Sequence, residues 1–145
     1  MKTRPAFTLL ELLIVMGMLV LFAGLAAAVS TPALRNAEFD RVRETVRSEL
    51  AAARADTIGG TSDSSWGVAF SSGSITRYRG TSYATRDQTL DLVTTFGNGV
   101  TLSGDTDVTF VRPTGAPIAA ATIIITNGAL RATTTINAVG AIEMQ

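Results

Sequence analysis

Apolar and polar positions divide this chain into three textures. From Phe7 to Val29 the residues are almost continuously apolar, and no charge occurs between Leu12 and Leu34. A helix needs roughly 20 apolar residues to cross a bilayer, and this run supplies them with one ionisable interruption, Glu11. Beyond Pro32, Phe39, Val42, Val46, Leu50 and Ala53 recur at steps of three and four, which places them on one helical stripe. Arg35, Glu38, Asp40, Arg41, Arg43, Glu44, Arg47 and Glu49 take the other faces. Glu38–Arg41, Asp40–Arg43 and Glu44–Arg47 have the i,i+3 spacing of helical ion pairs. A proline inside a helix kinks it and removes one hydrogen bond, but the helical period resumes directly after Pro32. The pattern predicts one long helix over 7–58, roughly 75–80 Å at 1.5 Å per residue. Its first part, 7–29, reads as transmembrane and its second, 33–58, as amphipathic.

Gly59-Gly60 stops the helix, and from there the period changes to two. Trp66-Val68-Phe70, Leu90-Leu92-Thr94-Phe96, Val100-Leu102, Val108-Phe110 and Leu130-Ala132-Thr134-Ile136 each alternate in this way. Ser72-Gly73, Gly97-Asn98-Gly99, Ser103-Gly104-Asp105 and Pro113-Thr114-Gly115 punctuate them. Asn127-Gly128, between Thr122–Thr126 and Leu130–Ile136, is the strongest hairpin signal. The run Ile123-Ile124-Ile125 predicts a strand covered on both faces. The expected fold is therefore α+β: a long N-terminal helix packed on an antiparallel β domain over 59–145, preceded by a short segment, 1–6.

Composition narrows the chemistry. The chain has 145 residues, enough for one ordinary domain. Cys and His are both absent, which excludes disulfides, thiol or imidazole catalysis, and Cys/His metal centres. Twelve Lys and Arg balance twelve Asp and Glu, so no broad attraction to nucleic acid is expected. No enzymatic activity, cofactor or metal site is expected.

Lys2 and Arg4 precede the apolar run, which predicts a cytoplasmic start and an outward-facing C-terminal part. One reading is a secretory signal peptide released at Ala26-Ala27-Ala28. The other retains the helix and removes only residues 1–6. Glu11 favours retention, because a carboxylate in an apolar helix costs about 2.5–3.5 kcal/mol at the bilayer centre and is kept where it is used. It lies one helical turn after Phe7. A terminal amine on Phe7 would attract it strongly at low dielectric, either within one chain or between neighbouring chains. The competing reading has Glu11 reaching the headgroups, assisted by the helix dipole.

The segment Ala6-Phe7-Thr8-Leu9-Leu10-Glu11-Leu12-Leu13-Ile14-Val15 resembles the N-terminal motif of type IV prepilins and type II secretion pseudopilins. That resemblance implies cleavage between Ala6 and Phe7 by a prepilin peptidase/methyltransferase, N-methylation of Phe7, and assembly with other pilin or pseudopilin subunits. Glu11 takes the place of the motif's glutamate, implied to set stagger between subunits. This chain has Ala6 where the family usually has Gly. Leu50-Ala51-Ala52-Ala53-Arg54-Ala55 followed by a wholly β C-terminal part is similar to the H-type minor pseudopilins and T-type fimbrial minor pilins. The implied protein is a single-pass inner-membrane subunit of a pilus or secretion pseudopilus, its β domain outside the cytoplasm.

Other constellations remain. Arg77-Tyr78-Arg79 has the basic–aromatic composition used to bind nucleic acid, which gives an alternative reading as a pilus-tip module contacting DNA or a surface. The simpler reading is a charged edge strand that discourages aggregation. The relatives that touch DNA often carry Arg after the closing glycine, whereas Ala141-Ile142-Glu143-Met144 follow Gly140 here. Asp105-Thr106-Asp107 reads as a polar turn rather than a Ca²⁺ site.

Overall fold

The computed structural model describes residues 8–97 and 99–145, and for 26–31 the helical backbone alone. Its architecture is α+β. Helix α1 runs Leu9–Ile58 and continues through Pro32. Contacts divide the chain into two units, Met1–Leu34 and Arg35–Gln145. In the first, every large apolar side chain described from Leu9 to Leu25 is at least half exposed.

The second unit holds the core. Its strands are β1 (Trp66–Ser71), β2 (Ser74–Arg79), β3 (Leu92–Thr95), β4 (Thr101–Gly104), β5 (Asp107–Val111), β6 (Ala116–Pro117), β7 (Ala121–Asn127), β8 (Leu130–Ile136) and β9 (Ile142–Met144). They form two antiparallel sheets, ordered β3-β2-β1-β5-β6 and β4-β7-β8-β9. The expected stripe of α1 is buried in full: Phe39, Val42, Val46, Leu50 and Ala53 join Val68, Phe70, Ile75, Phe110, Ile123, Ile125 and Ile136 in one apolar cluster. A fully buried aliphatic side chain contributes about 1.5–3 kcal/mol relative to exposure, so this stripe dominates the attachment of helix to sheets. Two of the three expected helical ion pairs form, Arg41–Glu38 at 3.3 Å and Arg43–Asp40 at 3.4 Å.

Thr57 closes the helix onto β1. Its side chain is fully buried; its hydroxyl donates to the Ala53 carbonyl at 2.8 Å and accepts the Trp66 amide at 3.0 Å. Beyond Ile58 the chain turns through Gly60, whose φ of 68° lies where glycine is favoured. Arg54 ties down two further loops by donating to the carbonyls of Gly115 at 3.0 Å and Val139 at 3.3 Å.

Three details differ from the sequence pattern. The Ile123-Ile124-Ile125 strand alternates, with Ile123 and Ile125 in the core and Ile124 only half-buried. It is packed mainly on one face, as antiparallel strands commonly are. The loop of the β7–β8 hairpin is Gly128-Ala129, because Asn127 pairs with Leu130. Gly128, at φ 63°, supplies the positive angle that the first loop residue needs, and Asn127 turns inward to donate to the Arg35 carbonyl at 3.2 Å. Leu90 belongs to a short helical turn, Gln88–Leu90, so the strand expected around 90–96 shortens to Leu92–Thr95.

Leu50 has no exposed surface, so Leu50→Ala should destabilise the β-domain unit by about 2–5 kcal/mol. Leu92→Ala, at a position 48% exposed, should cost less than about 1 kcal/mol. Denaturant midpoints of the two variants in detergent, followed by Trp66 fluorescence, check this ordering.

Candidate functional site

Residues expected to act lie at two places, the start of α1 and strand β2. Ala6 and Phe7, the expected cleavage pair, fall outside the described residues. Thr8 is the first described residue, and it caps the helix: its hydroxyl accepts the Glu11 amide at 3.3 Å, while its carbonyl accepts Glu11 and Leu12. Glu11 thus sits in the first turn, three residues after a threonine cap. That is the capping-box spacing, in which the glutamate can return to the cap residue's own amide. Sequence reasoning passed over Thr8, although the Thr-x-x-Glu pattern before an apolar run signals it. A carboxylate here also faces the positive end of the helix dipole.

Around this acid the surface is apolar. Leu9 is 82% exposed, Leu10 68% and Val20 73%. Folded monomers rarely leave a contiguous apolar surface of this extent uncovered. Among the described residues, no helix is long and apolar enough to cross a membrane; the expected span 7–29 also takes in Phe7 and the side chains of 26–29, which lie outside them.

Strand β2 divides its basic–aromatic triplet between two faces. Arg77 points toward α1, where its Nη1 meets Asp56 Oδ2 at 2.5 Å and its Nε lies 3.1 Å from Glu49 Oε2. The Glu49 contact is close but misaligned for a hydrogen bond, so the attraction there is coulombic. Arg79 pairs with Asp87 at 2.7 Å. Tyr78 takes the other face and has no exposed surface. Its ring lies over Gly67, directly across the β1–β2 pair, where any Cβ would overlap it. Its hydroxyl bonds the Asp107 carboxylate and the Thr109 hydroxyl. Burial, then the hydrogen bond to Asp107, pushes the phenol above its ordinary value of 10.0.

The 80–91 loop covers Tyr78 and is itself internally bonded. Tyr83 meets Tyr78 edge-on at 5.5 Å, and Arg86 stacks 3.8 Å over Tyr83 while pairing with Asp91 at 2.9 Å. Hydrogen bonds from the Thr89 hydroxyl and amide hold the Asp87 carboxyl below its ordinary value, aided by Arg79. All three members of the triplet are therefore engaged inside the protein: Arg77 and Arg79 in ion pairs, Tyr78 as a buried hydrogen-bonding side chain. Their partners Glu49, Asp56, Asp87 and Asp107 were not legible as such, since they lie outside β2, in α1, the 80–91 loop and β5.

Asp105 accepts the Thr122 amide at 2.7 Å and Asp107 holds Tyr78. Among the described residues no acidic cluster could hold a metal ion. Beside Asp105 and Asp107 lies a hollow of about 190 Å³, with Thr81, Ser82, Thr109 and Ile118 in its walls. It is smaller than the roughly 300–1,000 Å³ of small-molecule pockets. Comparison with protein-family models, with characterised proteins and with solved structures returns no match.

Arg77→Ala should destabilise the β-domain unit by about 1–3 kcal/mol, because it strands two partly buried carboxylates. Arg79→Ala, whose ion pair is more exposed, should cost under about 1 kcal/mol. Equal losses in chemical denaturation would remove the distinction between clasp and surface pair. A second expectation concerns alkali. A phenol whose folded pKa is raised contributes stability that is fully present below 10.0 and lost as pH rises above it. The denaturant midpoint should begin to fall near pH 10 and keep falling above it, and Tyr78→Phe should flatten that fall while lowering stability at neutral pH.

Proposed function

We propose that this chain is a non-enzymatic minor pilin or pseudopilin, inserted once in the inner membrane and drawn into a filament through its N-terminal helix. The observation that carries the reading is an apolar helical surface, exposed from Leu9 to Leu25, that bears one acid in its first turn. Such a surface needs lipid before assembly and sister helices afterwards. Residues 1–6 are a leader cut between Ala6 and Phe7 by a prepilin peptidase, which also methylates Phe7. Glu11 then has two claims on it: the amide of its own threonine cap and the new amine of a neighbouring chain. An interchain pair in a dry bundle is the stronger attraction, so assembly would draw Glu11 from cap to neighbour and fix axial register. The β domain lies outside the cytoplasm and presents the filament surface. A DNA- or surface-binding role for Arg77, Tyr78 and Arg79 gains no support from their internal partners.

Mass spectrometry of the mature chain is expected to find N-methylated Phe7 at its start; a start near Val29 would support a released β domain instead. Glu11→Leu is expected to insert normally but enter filaments at least tenfold less, a loss of about 1.4 kcal/mol or more in assembly free energy. Unchanged incorporation of that variant would end the registering role of Glu11.

A further inference from the structure

The two sheets protect their edges unequally. Strand β6 is two residues long and ends in Pro117, which cannot donate to an added strand. Strand β9 is three residues long and carries Glu143. Strand β4 packs against β1 and ends at Gly104, whose φ of 99° turns the backbone away. Natural sheets use shortness, proline, charge and such twists to stop unwanted strand pairing.

Strand β3 is four residues long, the same as β4, but it has no proline, no charge and no glycine twist. Leu92-Val93-Thr94-Thr95 and the following Phe96 bear no charge. Leu92 is 48% exposed and Val93 57%, with Leu90 beside them at 37%. The register identifies which backbone groups are unused. Phe96 donates its amide to the Gly73 carbonyl, and β3 pairs Ile75 with Thr94 and Arg77 with Leu92. Because antiparallel bonding alternates along a strand, Leu92, Thr94 and Phe96 turn their amides and carbonyls toward β2. Val93 and Thr95 turn theirs outward. Among the described residues, no loop backbone of this chain bonds to them.

We infer that β3 is a docking edge for an extended strand from a partner polypeptide, uncharged where it pairs and apolar at alternate positions. Donors and acceptors that alternate at the spacing of a β-ladder are complementary to another extended backbone and to no lipid or sugar. Apolar Leu92 and Val93 favour an uncharged partner segment, because an ion laid on them would lose hydration without gaining a counter-charge. A second copy of the chain fits less well. Two identical edges pair antiparallel about an axis perpendicular to the sheet, which reverses any helix lying along it. The preference for a partner over a second copy rests on the proposed reading of α1 as a helix that assembles parallel to its neighbours; the docking edge itself does not.

The test uses the full chain in detergent micelles, ¹⁵N-labelled, with the soluble peptide Lys-Thr-Val-Thr-Val-Thr-Lys as probe. Saturating peptide should slow hydrogen exchange at the Val93 and Thr95 amides about tenfold or more, leaving the already paired Thr94 amide unchanged. The same peptide with proline at its central position should protect neither. Thr95→Pro removes an outward amide without touching the β2 ladder, so it should weaken peptide binding at least fivefold while β2 amides keep their shifts. Absence of protection at Val93 and Thr95, or equal binding by the proline peptide or the Thr95→Pro chain, would overturn the docking edge. Protection that rises with protein concentration alone would assign the edge to a second copy and overturn the partner strand.

Discussion

Both sheets depend on one helical stripe. Phe39, Val42, Val46, Leu50, Ala53 and Thr57 come from the same face of α1 and are all buried, and the apolar cluster they enter draws on β1, β2, β5, β7 and β8 together. Neither sheet is large enough to bury its inner face against itself, and an isolated antiparallel sheet with one apolar face is not stable in water. The helix supplies the missing layer. The demand is exacting at its C-terminal end, where Thr57 must satisfy the Trp66 amide while its own hydroxyl is bonded back to the helix. An unsatisfied amide at that depth would cost about 1–3 kcal/mol. Helix end and first strand are therefore fixed by the same side chain.

Charge is recruited to the same junction. Arg77 follows Ile75 on the face of β2 turned toward α1 and is met there by Glu49 and Asp56. These two acids are seven residues apart, two helical turns, so they lie above one another on the flank of the buried stripe. Partly buried ion pairs add little net stability compared with apolar contacts, but losing one partner is expensive. Their effect is to fix which part of α1 lies over β2, since sliding the helix by one turn would leave all three charges unmatched. On the far face of the sheet, Tyr78 over Gly67 performs an analogous task with shape, because only glycine leaves room for the ring.

Periodicity made the elements legible and left their partners hidden. The step of three and four from Phe39 to Ala53 marked the buried face of α1, and the glycine pair marked its end, because both signals are local. The basic–aromatic triplet was the least legible feature. Arg77, Tyr78 and Arg79 look available in sequence, yet each finds its partner in a separate element: α1, β5 or the 80–91 loop. Nothing local distinguishes a solvated arginine from one with an acid waiting across a sheet. Asn127 shows the same limit at smaller scale. Its turn-forming chemistry was plain, but the Arg35 carbonyl, far away in sequence, draws it into the strand and shifts the loop by one residue. Thr8 is the reverse case, since its capping signal was local and available four residues from Leu12.

The apolar N-terminal run stands apart from this economy. The buried cluster begins at Phe39 and takes no described residue from the unit before Arg35. Folding of the β domain therefore gives no reason for Leu9 to Leu25 to be apolar, and leaving those side chains in water is a cost near 25 cal/mol for each Å². Sequence that the fold does not require, and that water penalises, must be stabilised by another environment. An acid held at the start of such a run restricts which environment that can be. Lipid alone would favour leucine at that position; on the reading proposed above, a bundle of like helices with amines at their ends gives the carboxylate its partner. On that same proposed reading, the unit from Arg35 onward buries its own core, and the N-terminal helix is the part that other chains complete.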